Sequence, residues 1–481
     1  MNHNPPPIIW DKQYTLASII FTVLMVLVFI FVFSSQMVHP VWFAITIVIV
    51  AWYFITLTRY SMRWRFYPSH KFTKKLFWHS FAYRVLFGLI IMYVSQLTWD
   101  QPVYVGAVDA VTYHTRAILA AEEFAAFNFA GGFNFANVSG KIDDVGPGLF
   151  FGTLYTFTGG FYIFGMLFIA FLGTISVVYL YKTALIVYDD HIARTSALMY
   201  MHFPLALFYS SVTQKEGFVI FFLIMIVYIM TRSINGLNLK FVHIFTLIFC
   251  LISLFLFRAP VGLGCLVLVS AGFLINRYKG SYAASFSIGF ISVGIFFVVM
   301  YYIGEIGYFI DRASTADRVG EARTAALVGS GEIEVIGLSI FDLMVAPIYL
   351  FMAVVAPFPA MVETGMSFYG FDQNYYNSPG RIVWNILAFF SIIGLWHTLR
   401  DRLFSSLMVW GFSIGYLYIL IATVTFTRER FAYLGMPLLL ILATVGIYKT
   451  KNKKLWYLYL AGLVGAILIW NTLRLGTRGL V

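Results

Sequence analysis

Residues 15–34 read TLASIIFTVLMVLVFIFVFS, a stretch with no charged side chain. A helix of that length rises about 30 Å, the thickness of a bilayer's hydrocarbon core. Runs of the same kind recur near 40–58, 85–99, 160–181, 195–212, 217–231, 241–257, 260–276, 284–303, 383–399, 404–424, 431–448 and 455–473. Composition agrees: 60% of the 481 residues are hydrophobic and only 11% are charged, whereas a soluble domain carries about 25% charged residues to cover itself for water. The chain therefore reads as an all-α, polytopic transmembrane helical bundle of about 13 spans, with no soluble domain able to act alone. Cys250 and Cys265 lie inside apolar runs, which argues against a disulfide framework or a metal site.

The net charge of +11 reports topology rather than nucleic acid, because the basic residues gather beside the apolar runs. From Arg59 to Arg84 the chain carries Arg59, Arg63, Arg65, Lys71, Lys74, Lys75 and Arg84 and no acid, so this loop and the N-terminus are expected in the cytoplasm. The chain after Trp99 is expected outside, where Asp100, Asp109, Glu122, Glu123, Asp143 and Asp144 face only Arg116 and Lys141. The start, with Pro5, Pro6, Pro7, Asp11 and Lys12, lacks the basic opening and cleavage site of a secretory leader. Lys449, Lys451, Lys453 and Lys454, like Arg400 and Arg402, belong inside, and that parity requires the apolar stretch near 338–357 not to cross. It contains Asp342 and Pro347 and ends in Pro357 and Pro359, and is read as re-entrant or interfacial. The chain then divides into N-terminal helices with a basic cytoplasmic loop (1–99), an extracytoplasmic loop with an amphipathic helix (100–159), a transmembrane core (160–303), a second large extracytoplasmic loop (304–382) and C-terminal helices (383–481).

Chemistry is expected on the outer side, where the longer polar segments lie. At about 100° per residue, Asp109, Arg116 and Glu123 share one stripe of a helix that begins near Asp109, with Ile118, Leu119 and Phe124 placed for lipid. This is an interfacial helix with a solvated face, or one that also holds a carboxylate able to take a proton from a hydroxyl. His114 stands about 140° away from Asp109 on that helix. Lys215 and Glu216 form an outer connection between two apolar helices, as caps or as a lysine suited to phosphate. Arg258, Arg428 and Arg430 lie at outer helix ends against the usual charge bias, where guanidinium pairs with outer acids or with an anionic headgroup. Asp143 and Asp144 precede a Gly146-Pro147-Gly148 turn. No phosphate-cradling Gly-Lys-Ser/Thr loop, zinc spacing or dinucleotide fingerprint is present, and no cofactor is called for. A divalent cation stays open on the outer carboxylates, with no ligand set legible.

These residues carry a resemblance. Asp109-Ala110 leading to Tyr113-His114, the segment from Gly146 to Gly160, and the junction running from Pro204 through Tyr209, Ser210 and Ser211 to Lys215-Glu216 look like the GT-C-fold integral membrane glycosyltransferases of bacteria and the related polysaccharide polymerases. The resemblance covers about 100–450 in order, through short motifs; the aspartate here follows a third helix where many members have it after the first. It implies an enzyme of the cytoplasmic (inner) membrane that moves a sugar or glycan from a polyprenyl-phosphate or polyprenyl-diphosphate carrier on the extracytoplasmic face, to a glycan, lipid or protein acceptor. An O-antigen ligase-like enzyme shares that chemistry. It implies Asp109 as base or acceptor-orienting group, Lys215, Arg258 and Arg428 or Arg430 on the donor phosphate, and Asp143, Asp144 or Glu216 as a second acid, with His114 a further candidate. The alternative is a transporter or flippase of lipid-linked or small substrates. Transporters place ionisable groups near mid-membrane, and the mid-span positions here read as almost free of charge.

Overall fold

A computed structural model describes residues 9–34, 40–104, 108–137, 145–277, 354–359, 361–362, 373–422 and 429–476. The described residues are helical, in the order α1 (Lys12–Val32), α2 (Pro40–Trp64), α3 (Ser69–Trp99), α4 (Val108–Ala125), α5 (Phe129–Ala136), α6 (Val145–Thr158), α7 (Tyr162–Val187), α8 (Asp190–His202), α9 (Pro204–Tyr209), α10 (Lys215–Ile234), α11 (Phe241–Arg277), α12 (Gln373–Asp401), α13 (Leu407–Ala422), α14 (Glu429–Ala432), α15 (Met436–Lys449) and α16 (Lys453–Gly476). Eight stretches among them are long and apolar enough to cross a membrane: α1, α2, α3, α7, α10, the first limb of α11 (Phe241–Ala259), most of α12 and most of α16. The expected runs at 260–276, 404–424 and 431–448 appear as shorter apolar helices, and 284–303 lies outside the described residues.

Two expectations are corrected. The run 195–212 is not one span: it breaks at Phe203, whose backbone turns extended (φ −59°, ψ 121°) before Pro204. Proline supplies no N–H and crowds the preceding residue out of the helix. The basic stretch 59–84 is not a loop either, since α2 continues to Trp64 and α3 starts at Ser69. Lysine and arginine are good helix formers whose long stems lie along apolar surface, so the charges ride on the helix ends. Lys71 and Lys75 rest on the Tyr67 ring at 5.0 and 4.7 Å. Arg84, halfway along α3, is fully buried.

Polar contacts collect the helix ends at two poles. At one pole, Lys453 of α16 binds Asp11, the N-cap of α1, at 2.7 Å. Lys449 at the end of α15 reaches Asp401 at the end of α12 at 3.5 Å. Arg402 donates to the Val187 carbonyl at the end of α7, and Arg194 of α8 donates to the carbonyls of Trp64 and Tyr67 at 3.0 and 2.7 Å. The basic ends expected to share one side therefore do meet. The residues 338–353 lie outside the described residues, but 354–359 and 361–362, just beyond, are non-helical for most of their length and buried. Backbone of that kind survives in an apolar surrounding only where side chains satisfy it. Here Trp384 donates to the Val354 carbonyl at 2.8 Å, Arg381 to Phe358 at 3.2 Å, and the Asn471 amide bonds both Pro359 and Met361, at 3.2 and 3.1 Å.

The tightest crossing joins α12 to α15. A methyl group on Gly394 would strike the Leu442 carbonyl, and one on Gly446 would strike the Phe390 carbonyl. Small residues at a crossing let helix backbones touch, which is how packing compensates where water supplies no drive for association. Gly394→Ala and Gly446→Ala are each expected to destabilise by about 1–3 kcal/mol through overpacking, read as a lower thermal midpoint in detergent. Gly462→Ala on α16, where a methyl meets nothing within 4 Å, should leave the midpoint unchanged or slightly raised.

Candidate functional site

At the pole opposite the basic one, four of the residues singled out from the sequence converge. Asp109 stands in the first turn of α4, where an acid also suits the exposed N–H groups of a helix start. The α4 face bearing Ala110, Tyr113, Ala117, Ala120 and Ala121 is buried, at the spacing expected of one helical stripe. The lipid-facing role expected for Phe124 is corrected, because a methyl on Gly132 of α5 would meet its ring: helix packing takes that surface instead. Arg430, in the short helix α14, donates from Nη1 to Asp109 Oδ2 at 2.8 Å across 321 positions of sequence.

Arg258 reaches the same place from α11. Pro260 removes a backbone donor and clashes with the preceding turn, and Arg258 takes an extended conformation (φ −166°, ψ 84°) that divides the helix into two limbs. Its guanidinium lies 3.7 Å from Glu216, in the first turn of α10. The carbon of the same guanidinium is 4.4 Å from the centre of the Phe431 ring, and that of Arg430 is 4.9 Å from it. One aromatic ring therefore carries both arginines, each with its own carboxylate. Tyr416 of α13 donates to the Phe431 carbonyl and holds this turn in place.

The two ion pairs differ in exposure. The Arg258 and Glu216 side chains are 12% and 2% exposed, whereas those of Arg430 and Asp109 are 35% and 38% exposed. Breaking the buried pair strands a charge away from water, a cost of several kcal/mol. The half-exposed pair is open to exchange with an incoming ligand, and Asp109 Oδ1 accepts no hydrogen bond from the described residues. The pair is also worth little to stability, at most about 1 kcal/mol.

Of the other expected members, Lys215 adjoins this cluster and His114 faces away from it. Lys215 is half-buried in the α10 turn that holds Glu216. His114 faces α6 and α7: its Nδ1 lies 2.9 Å from the Tyr155 hydroxyl, and its ring packs edge-on against Tyr155 and Tyr162 at 5.4 and 5.5 Å. Among the described residues no contact joins it to the arginine pair, as its angle to Asp109 around α4 leads one to expect. Asp143, Asp144 and Arg428 lie outside the described residues, and no group of three or more metal-ligating side chains occurs among the described residues. The connection expected at Lys215 and Glu216 is enclosed by the bundle. Ser210, Ser211, Thr213, Gln214 and Glu216 are all buried, because the Pro204 break lets the chain turn inside the bundle.

Sequence reasoning missed Phe431 and Tyr416, whose types signal nothing in so aromatic a chain. It also missed Arg84 and His202, both fully buried. A signal for Arg84 did exist: Ser80 and Gly88 flank it at four-residue spacing, a stripe of small and polar residues that lets neighbouring helices close over it.

No family model, curated protein or solved structure matches the chain.

Burial holds the His114 imidazolium pKa below its ordinary 6.5, so the ring is neutral at pH 7. The folded protein then binds fewer protons than the unfolded chain between the two values. The stability that His114 contributes should be complete above about pH 6.5 and fall as the pH drops through the folded value. His114→Gln should flatten that part of the profile, measured as the wild-type-minus-variant difference in thermal midpoint between pH 7.5 and 5.

Proposed function

We propose that this protein is a membrane glycosyltransferase that uses a polyprenyl-phosphate- or polyprenyl-diphosphate-linked sugar or glycan on the extracytoplasmic face, building a cell-surface polysaccharide or glycoconjugate. The observation that supports this reading is the meeting of Asp109, Arg430, Arg258 and Glu216 around Phe431, from four distant parts of the chain. Sugar transfer needs a base for the acceptor hydroxyl and positive charge for the leaving phosphate.

The acceptor oxygen attacks the anomeric carbon while the bond from that carbon to the phosphate oxygen breaks. The hydroxyl proton passes to Asp109 Oδ1, and the phosphate leaves with the electron pair. Arg430 orients Asp109 through Oδ2 and, with Arg258 and Lys215, meets the developing phosphate charge. Guanidinium presents paired donors to phosphate oxygens, which makes arginine the suitable residue here. Phe431 holds the two cations in register and keeps water from their faces, where cation–π attraction contributes about 0.5–2 kcal/mol each. A lipid carrier approaches sideways from the bilayer, and charges at helix ends rather than in a soluble cleft suit that route.

A second reading, transport or flipping of lipid-linked or small substrates, draws support from a different observation. The α9–α10 break is buried inside the bundle, close to Arg84: Ser211 Oγ donates to the Arg84 carbonyl at 2.9 Å. Discontinuous helices and intramembrane ionisable groups are where transporters bind their cargo.

Purified protein in nanodiscs, given a panel of polyprenyl-linked sugars, should release the carrier phosphate and form a glycosidic product. Asp109→Asn should lower turnover by on the order of 10²–10⁴-fold at an unchanged thermal midpoint, and full activity in that variant would remove Asp109 from the base role. Substrate movement across proteoliposomes without any product would favour the second reading.

A further inference from the structure

Arg84 stands halfway along α3 with 0% of its surface exposed. A charged guanidinium so placed is costly unless something balances it. Its Nη1 is committed to Ser80, to the carbonyl oxygen at 3.2 Å and to the hydroxyl. Its Nε and Nη2 have no hydrogen-bond partner among the described residues. Among the described residues no carboxylate pairs with it, and the nearest compensation is the Tyr200 ring, 6.0 Å from the guanidinium carbon. That is the outer limit of a cation–π contact.

The two unused donors are neighbours on the guanidinium and point the same way. Together they form the side-on fork that grips two oxygens of one anion. Hydroxyls gather on this side of the core. Tyr200 and Tyr433 share one hydrogen bond at 3.2 Å, which leaves one phenolic hydrogen undirected. Ser210, whose hydroxyl donates to the Ala206 carbonyl, is buried nearby: a methyl on Gly173 would stand 2.8 Å from Arg84 Nε and 3.1 Å from Ser210 Oγ. His202 lies in electrostatic reach of Arg84, stacked on Tyr60 at 5.1 Å and against Tyr83 at 5.2 Å, and its Nε2 has no hydrogen-bond partner among the described residues.

We propose that Arg84 anchors an occluded oxyanion site inside the bundle, and that its ligand is a phosphate group, carried by a lipid headgroup or free. A carboxylate would have both oxygens occupied by the fork, whereas a phosphate has further oxygens for the surrounding hydroxyls. The inference does not depend on the glycosyltransferase reading: the outer cluster is built on α4, α10, α11 and α14, and Arg84 lies on α3, packed against α7 and α8.

The test measures thermal unfolding of the full chain in two arms. In detergent, inorganic phosphate is titrated against chloride at matched ionic strength. In nanodiscs, phosphatidylcholine is compared with phosphatidylcholine containing phosphatidic acid. A saturable rise of the midpoint in the first arm identifies free phosphate, and a rise in the second alone identifies a lipid headgroup. Arg84→Gln, and Arg84→Lys, which keeps charge but loses the fork, should weaken the apparent affinity about tenfold or more. Gly173→Ala, which crowds the Nε edge and leaves the charge, should weaken it as well, and it decides the matter if the Arg84 variants do not fold. Arg430→Gln should retain the effect, because it removes only what the outer cluster contributes. The proposal is overturned if the wild type shows no saturable rise in either arm. It is equally overturned if the rise survives in Arg84→Gln, or, where that variant does not fold, in Gly173→Ala.

Discussion

The contact of α12 with α15 at Gly394 and Gly446 governs the placement of the polar residues that matter here. Backbone lies directly on backbone, so neither helix can shift without losing the fit. From α15 the chain leads back to α14, which carries Arg430 and Phe431. From α12 come Trp384, Asn385 and Arg381, the side chains that hold the non-helical backbone of 354–359. α15 also packs against α8, where Thr444 contacts the Met199 sulfur at 3.5 Å and Tyr433 meets Tyr200. Both the cluster around Phe431 and the surroundings of Arg84 are thereby referred to a single rigid pair.

Inside the bundle the dominant cost is that of polar groups removed from water. Many are satisfied within one turn. Ser18, Thr22, Thr174, Ser176 and Ser196 each donate to the carbonyl four residues back, a bond that requires no partner helix. Glu216 and Arg258 neutralise each other at the edge of the core. Arg84 follows the first pattern only with Nη1, which donates to the Ser80 carbonyl, while among the described residues its Nε and Nη2 have no partner. Its unfilled fork is therefore informative in a way that a lone surface arginine is not.

The two ion pairs that meet at Phe431 differ in exposure. The buried pair of Glu216 and Arg258, 3.7 Å apart, links α10 to the kink of α11, while the pair of Asp109 and Arg430 is half-exposed. The aromatic ring between the arginines matters because a rigid, apolar spacer holds two like charges near one another without lending either a counter-ion.

The sequence alone determined the class of the protein, since uncharged runs of bilayer length leave helices as the only solution for the backbone. It also located Glu216, Arg258 and Arg430 as charges where apolar runs stop, and Asp109 at the start of an amphipathic helix. What only the tertiary structure decided is which of these charges meet. Asp109 and Arg430 lie hundreds of residues apart, and local periodicity carries no distance between helices. His114, close to Asp109 in sequence, was turned away by the helix itself. Arg84 was misplaced for the same reason: a positive charge beside a run of lysines reads as a cytoplasmic end until neighbouring helices close over it. Burial is a property of the helices that surround a residue, and the residue's own sequence does not record them.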